Sequence, residues 1–429
     1  MDETPDTTRP TADVVVTHIS RLVTLAPGRV ASAKGRLGVV ERGALAARDG
    51  RIVWCGPEDM LASAVASSGA RHVDAEGCAV IPGFVDSHTH LVFAGSRAEE
   101  FQLRHAGVSY EALAQEGRGI LTTVRATRAA SRAELRDLAR ARLVSFAAHG
   151  TTTVEGKTGY GLDRASEETC LDVMADLAAV QGLPTLIPTF LGAHTLPPEY
   201  RGSQEARARY VAVLCDELLP AFAGRARFCD VFCERTAFTV EEARQILRRA
   251  GALGYLLKLH ANQLGPTGGA ALAAELGAVS ADHLDYAADE DLAALRAAGV
   301  VGTLLPGCSF SLGTPYPSGQ RLRRLGLRVA LATDFNPGTS YCENMQMMLA
   351  LAVSAMGMTL EDALEAATRG GAAALRLEDE VGSLETGKRA DLAILRVADE
   401  RELAYHFGVN LVARTFVRGR EAEHDAATL

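Results

Sequence analysis

Short apolar runs alternate with amphipathic stretches over most of this chain. Between residues 82 and 375, eight such runs read as strands: Val85–Phe93, Thr152–Lys157, Thr185–Leu191, Phe228–Cys233, Leu256–His260, Val279–His283, Val301–Leu305 and Val329–Thr333. Helix signals lie between them. Leu135, Leu138, Ala139, Leu143 and Phe146 recur at helical spacing, and Gly150 ends that pattern. Ser131 with Glu134, and Thr239 with Glu242, each fit a capping box. Eight strands alternating with helices predict a parallel sheet closed into a (β/α)8 TIM barrel.

The ends of the chain have a different character. Asp13–Thr17, Ala44–Ala47, Ile52–Cys55 and Ala79–Ile81 read as short strands, and similar pieces return at Asp391–Val397 and Val412–Val417. Asp49–Gly50 is a tight hairpin signal between two of them. The expected organisation is a small β-sandwich domain formed from both chain ends, 1–81 with 376–429, around a barrel over 82–375.

A length of 429 residues suits a barrel plus an appended domain. A net charge of −9 would repel nucleic acid, so no nucleic-acid partner is expected. No apolar run approaches the roughly 18 residues that would span a bilayer, and no membrane partner is expected. The start, Met1 to Pro10, is acidic and rich in Thr and Pro, without the basic and apolar regions of a signal peptide. The eight cysteines are scattered with no CxxC pair, and Cys229 and Cys233 stand in an apolar stretch as buried thiols do. A cytoplasmic protein is expected.

The histidines carry the functional signal. His88 and His90 stand two apart on the first predicted barrel strand, so they face the same side, which is the interior of a closed barrel. His260 ends the fifth strand, His283 the sixth, and Asp334 follows the eighth. Strand C-termini converge at the mouth, where the active sites of such barrels lie. A single strand-end histidine is often only a hydrogen-bonded polar residue, but five ionisable groups on the strand ends of one barrel point to one divalent ion, zinc or iron.

The run Pro82-Gly83-Phe84-Val85-Asp86-Ser87-His88-Thr89-His90 resembles the first-strand motif of the amidohydrolase superfamily. Within it, the chain is similar to the imidazolonepropionase family. HTHLVFAGSRAEEF from His88, VEGKTGYGL from Val154, FLGAH from Phe190, KLHANQLGPTGG from Lys258, SADHLDY from Ser280 and ATDFNPGTS from Ala332 carry that similarity across the barrel. The resemblance implies His88, His90, His260 and Asp334 as metal ligands. It implies Arg97, Tyr160, His194, Gln263, Asn336, Gly338 and Thr339 as contacts of a small substrate, 4-imidazolone-5-propanoate, opened to N-formimidoyl-L-glutamate. Relatives vary at position 263; Gln263 has no acid or base function and is expected to hydrogen-bond at the catalytic site. Ser87 stands where a proline is frequent.

The residues agree with that chemistry. A bound ion lowers the pKa of water towards ~7. His283 is placed to accept the proton, and Asp334 or His283 to return one to the departing ring nitrogen. Arg97 can grip a carboxylate with two parallel hydrogen bonds, though a salt bridge to Glu99 or Glu100 is the plainer role for it. The predicted fourth strand has no lysine to be carboxylated between two ions, and Lys157 lies on the second, which favours one metal. Two rivals stand beside this reading: another one-metal amidohydrolase, such as a cytosine or guanine deaminase, and a catalytically inactive ligand-binding barrel. A homodimer is compatible with the sequence.

Overall fold

The computed structural model describes residues 9–108 and 118–423; most of the Met1–Pro10 segment lies outside them. Eight parallel strands follow one another in chain order: β6 (Phe84–Asp86), β7 (Thr151–Lys157), β8 (Thr185–Ala193), β9 (Phe228–Cys233), β10 (Leu256–Ala261), β11 (Ser280–His283), β12 (Val301–Leu304) and β13 (Val329–Leu331). The expected barrel is there, with helices between its strands. Ser131 caps the helix Arg132–Ala148 through the Glu134 amide, without the reciprocal half of a box, whereas the Thr239–Glu242 box is complete. Among the described residues, no helix is long and apolar enough to cross a membrane.

The first strand departs from expectation. It ends at Asp86, and His88 and His90 lie in the extended segment beyond it rather than on a ladder strand. The reason lies in the seam of the barrel. The ladder does not join β6 to β13; the segments that follow them close the gap. The Asp334 amide donates to the His88 carbonyl at 3.1 Å, and the His90 amide to the Phe335 carbonyl at 2.8 Å. Asp86 sits beneath, accepting from the Thr333 amide at 3.1 Å and hydroxyl at 2.6 Å. Three of the four peptide groups that close the barrel thus belong to residues expected to bind metal.

Strands from both ends form one mixed sheet: β1 (Val14–Val23), β2 (Val39–Arg48), β3 (Arg51–Pro57), β4 (Arg71–Asp74) and β5 (Val80–Pro82), with β14 (Leu392–Leu395), β15 (Val412–Val417) and β16 (Arg420–Glu421). Its order is β16-β15-β14-β5-β1-β2-β3, with β4 beside β1. The two ends meet where β14 pairs antiparallel with β5. Asp49 and Gly50 both have positive φ, 51° and 76°, as the predicted tight hairpin requires. Period-two alternation covers both faces: Val80, Leu392 and Ile394 pack into the sheet's own core, while Ile81, Ala393 and Leu395 join the large cluster shared with the barrel.

A helical segment, residues 366–374, closes the opposite end of the barrel. A Cβ at Gly370 would lie 2.1 Å from the Val329 carbonyl oxygen, and one at Gly371 2.1 Å from that of Val85. Both obstacles are strand backbone, in β13 and β6, which cannot step aside. Gly371→Ala should therefore lower stability by about 1–3 kcal/mol through overpacking. An unchanged urea midpoint would contradict that close packing.

Candidate metal centre and its buried support

Strand alternation explains which side chains reach the barrel interior. On β10, Leu259 faces the helices and packs in the apolar cluster, so Lys258 and His260 point inward. On β7, Val154 faces out while Glu155 and Lys157 point in, and on β9 Val231 faces out beside Asp230. Alternation would send the residue after Asp282 outward. His283 escapes by adopting φ 77°, and Asp334 likewise has φ 53°, a left-handed conformation unusual for side-chain-bearing residues.

The histidines form one group. His88 lies 4.4 Å from His260, 5.3 Å from His90 and 5.6 Å from His283, between ring centroids. Asp334 Oδ1 is 3.5 Å from His88 Nε2 and 3.7 Å from His90 Nε2. Burial, then the Lys157 ammonium and the neighbouring rings, hold His88 well below the usual imidazole range. Burial and neighbouring imidazoles do the same to His90 and His283. Neutral rings offer lone pairs, and here several go unused: His88 Nε2, His90 Nδ1 and His260 Nε2 are buried without a hydrogen-bond partner. Burial meanwhile pushes the Asp334 carboxyl up to about 7, so its ionised form lacks a sufficient counter-charge. Buried lone pairs without donors, facing a carboxylate, suit a cation. His88, His90 and Asp334 bring ligand atoms within 4.8 Å of one another, as do His88, His260 and His283.

Beneath these rings lies a layer of charge that reading the sequence did not find. His88 Nδ1 is 2.6 Å from Asp282 Oδ2, and His260 Nδ1 is 3.0 Å from Asp230 Oδ2. Lys157 Nζ donates to Asp230 at 2.7 Å and to Glu155 at 2.9 Å; Lys258 Nζ lies 3.3 Å from Glu155 and donates to the Ser87 carbonyl at 2.9 Å. Both ammonium groups stand 3.8 Å from Asp282. All five side chains are fully buried. Burial alone would raise the Asp230 carboxyl, yet His260 and Lys157 hold it well below the usual range. A carboxylate on the Nδ1 side draws the ring proton there and leaves Nε2 free for metal. The available signal was charge at inward positions of apolar strand runs, such as Asp230 within Phe228–Cys233.

The expected substrate contacts lie around this centre in different states. His194 stacks on His90, centroids 5.0 Å apart, with its Nδ1 3.1 Å from the Gly159 carbonyl oxygen. Tyr160 is buried 5.3 Å from the His194 ring. Its loop is held by Glu167, which accepts from the amides of Gly159, Gly161 and Leu162 at 2.8–3.2 Å. Arg97 Nε donates to Glu100 at 2.8 Å, the plainer role foreseen for it, while its Nη1 end abuts Gly338, where a Cβ would lie 2.3 Å away. Asn336 spends its amide on its own loop: its oxygen accepts from the amides of Gly338 and Thr339 at 2.8 Å, and its nitrogen donates to the Asp334 carbonyl at 2.6 Å. Thr339 Oγ1 is 3.4 Å from Asp334 Oδ2. Gln263 is half-buried, its Nε2 3.5 Å from Cys308 Sγ. A cavity of about 640 Å³ beside the centre has Arg97, Phe101, Gly338, Thr339 and Tyr341 in its wall.

If Asp282 orients the His88 ring, Asp282→Asn should weaken metal binding about 10- to 100-fold, the usual scale for such partners. Chelator competition measures this directly, and an affinity equal to the parent's would remove Asp282 from that role.

A profile of the amidohydrolase family matches residues 79–422. The chain is 51% identical over 414 residues to the imidazolonepropionase of Symbiobacterium thermophilum, covering 95% of this chain and 96% of that one. It is 45% identical to the imidazolonepropionase of Herpetosiphon aurantiacus, covering 96% and 97%. Among solved structures, a 5-methylcytosine deaminase from Klebsiella pneumoniae superposes with TM-score 0.70 at 17% identity, covering 97% of this chain and 99% of that one. An adenosine deaminase from Xanthomonas campestris with bound zinc superposes with TM-score 0.68 at 20% identity, covering 98% and 96%. These last likenesses concern the fold. Identity at half of all positions along nearly the whole chain, over a barrel whose mouth gathers these histidines, makes the chain a member of the imidazolonepropionase family within the amidohydrolases.

Proposed function

We propose that the protein hydrolyses 4-imidazolone-5-propanoate to N-formimidoyl-L-glutamate, the ring-opening step of histidine degradation. The observation that carries this is 51% identity with an imidazolonepropionase over 95% of the chain. On this reading His88, His90, His260 and Asp334 hold one zinc or iron ion. The ion would supply water acidified towards a pKa of ~7 and polarisation of the ring carbonyl. His283, held neutral by burial, takes the proton as water attacks. Asp334 or His283 hands a proton to the departing ring nitrogen. Arg97, oriented by Glu100, grips the propionate. Tyr160, His194, Gln263, Asn336, Gly338 and Thr339 line the ring's position, and Asn336 also shapes the loop that carries the last two. The same reading takes residues 1–81 and 376–429 as one domain, 82–375 as the other, the cytoplasm as the compartment and a homodimer as a compatible assembly.

Purified enzyme should abolish the absorbance of 4-imidazolone-5-propanoate, release no ammonia and carry one metal ion per chain. Ammonia release, or an inert substrate, would contradict the reading. Arg97→Ala should keep its metal and lose about 2–4 kcal/mol of a charge-assisted, two-bond contact, roughly 30- to 1,000-fold in kcat/KM. Arg97→Lys should recover only part, because lysine lacks the planar fork. Parent-like turnover by Arg97→Ala would move the anchor elsewhere. His283→Ala should also keep its metal while losing about 100-fold or more in rate, the scale of general acid–base groups. Loss of its metal would make His283 a ligand instead.

A further inference from the structure

The wall of the centre beside His283 and Asp334 holds a thiol that the reaction does not use. Cys308 lies in the first turns of the helix Pro306–Leu312, which begins directly after β12 at the catalytic mouth. It is 3% exposed. One ligand atom each from Cys308, His283 and Asp334 falls within 4.8 Å of the others. In tetrahedral zinc geometry, with metal–ligand bonds of about 2.0–2.3 Å, such atoms stand roughly 3.5 Å apart, so a small inward rotation completes the set. The Asp334 carboxylate has an oxygen for each side. Oδ1 is 3.5 Å from His88 Nε2, while Oδ2 is 3.4 Å from Thr339 Oγ1. Cys308 Sγ takes a weak contact from Gln263 Nε2 at 3.5 Å and hydrogen-bonds with Thr339 and Asp334, contacts that an entering ion can displace.

We propose that Cys308, His283 and Asp334 form a second metal position, selective for soft divalent ions such as zinc and cadmium, whose occupation shuts the enzyme off. Thiolate and imidazole ligands select soft over hard cations, so magnesium and calcium should not compete. As the Sγ–metal bond forms, the thiol proton leaves to solvent. The ion takes the His283 lone pair that would accept a proton from attacking water, and it ties Asp334 between two charges. The proposal rests on the proposed function only in treating the ion held by His88, His90, His260 and Asp334 as the working one.

The test is titration of the one-ion holoenzyme with Cd²⁺, reading metal per chain and the ultraviolet cadmium–thiolate charge-transfer band. The expected result is a second equivalent bound, with a band growing in step. Turnover should fall in the same proportion, and magnesium should have no effect. Cys308→Ser should lose the band and the second equivalent while keeping the first ion, and Cys308→Ala, which lacks the hydroxyl as well, should do the same. A band that persists in both variants would assign the binding to another cysteine and overturn the proposal. So would cadmium that only replaces the first ion, leaving one equivalent and no band. Neither metal count nor band involves substrate, so failure to turn over 4-imidazolone-5-propanoate would contradict the proposed function without deciding this one.

Discussion

Two lysines buried inside a barrel are the constraint on which the rest of this structure turns. Lys157 and Lys258 lie among Glu155, Asp230 and Asp282, all without solvent access. Taking each of these charges out of water costs several kcal/mol, and an apolar layer of the same volume would often be more stable. The arrangement therefore answers to something other than stability. Three carboxylates against two ammonium groups leave one net negative charge directly under the imidazoles, with the carboxylates turned towards the Nδ1 side of His88 and His260. Deleting one lysine would strand a buried carboxylate, at about 3–5 kcal/mol for a broken buried pair. The layer fixes ring orientation because each member is held by at least one other.

Above that layer, the barrel closes through the site. The segments after β6 and β13 share the Asp334–His88 and His90–Phe335 peptide hydrogen bonds, so the spacing of two histidines and a carboxylate is set by closure of the fold. His283 and Asp334 sit in left-handed backbone conformations, each costing about 1–3 kcal/mol, which persists only where surroundings over-determine the geometry. The sheet built from both chain ends lends that rigidity. Its β5 strand leads directly into β6, and its β14 and β15 residues pack into the barrel's own apolar cluster.

Much of this could be read before any coordinates. The alternation of apolar runs located seven barrel strands to within two residues at either end, because period and turn chemistry are local properties. It failed at the first strand, since His88 and His90 keep an extended backbone without the neighbours that define a ladder. The four expected ligands and His283 stood out because their spacing on strand ends is a one-dimensional pattern. The charged layer was not. Glu155, Asp230, Lys258 and Asp282 come from four strands, and only closure of the barrel brings their charges together. Asn336, which motif similarity marks as a substrate contact, also holds its own loop through its amide, a role the motif alone did not reveal.

The central claim is that the seam and the charged layer together hold one resident ion, distinct from the position proposed at Cys308. Anomalous diffraction at the metal edge from crystals of the holoenzyme measures this most directly. The expected map has one peak per chain, about 2.0–2.2 Å from ligand atoms of His88, His90, His260 and Asp334, with His283 outside the coordination shell. Two peaks bridged by a modified Lys157, or one peak bound away from the His88–Asp334 seam, would contradict the account.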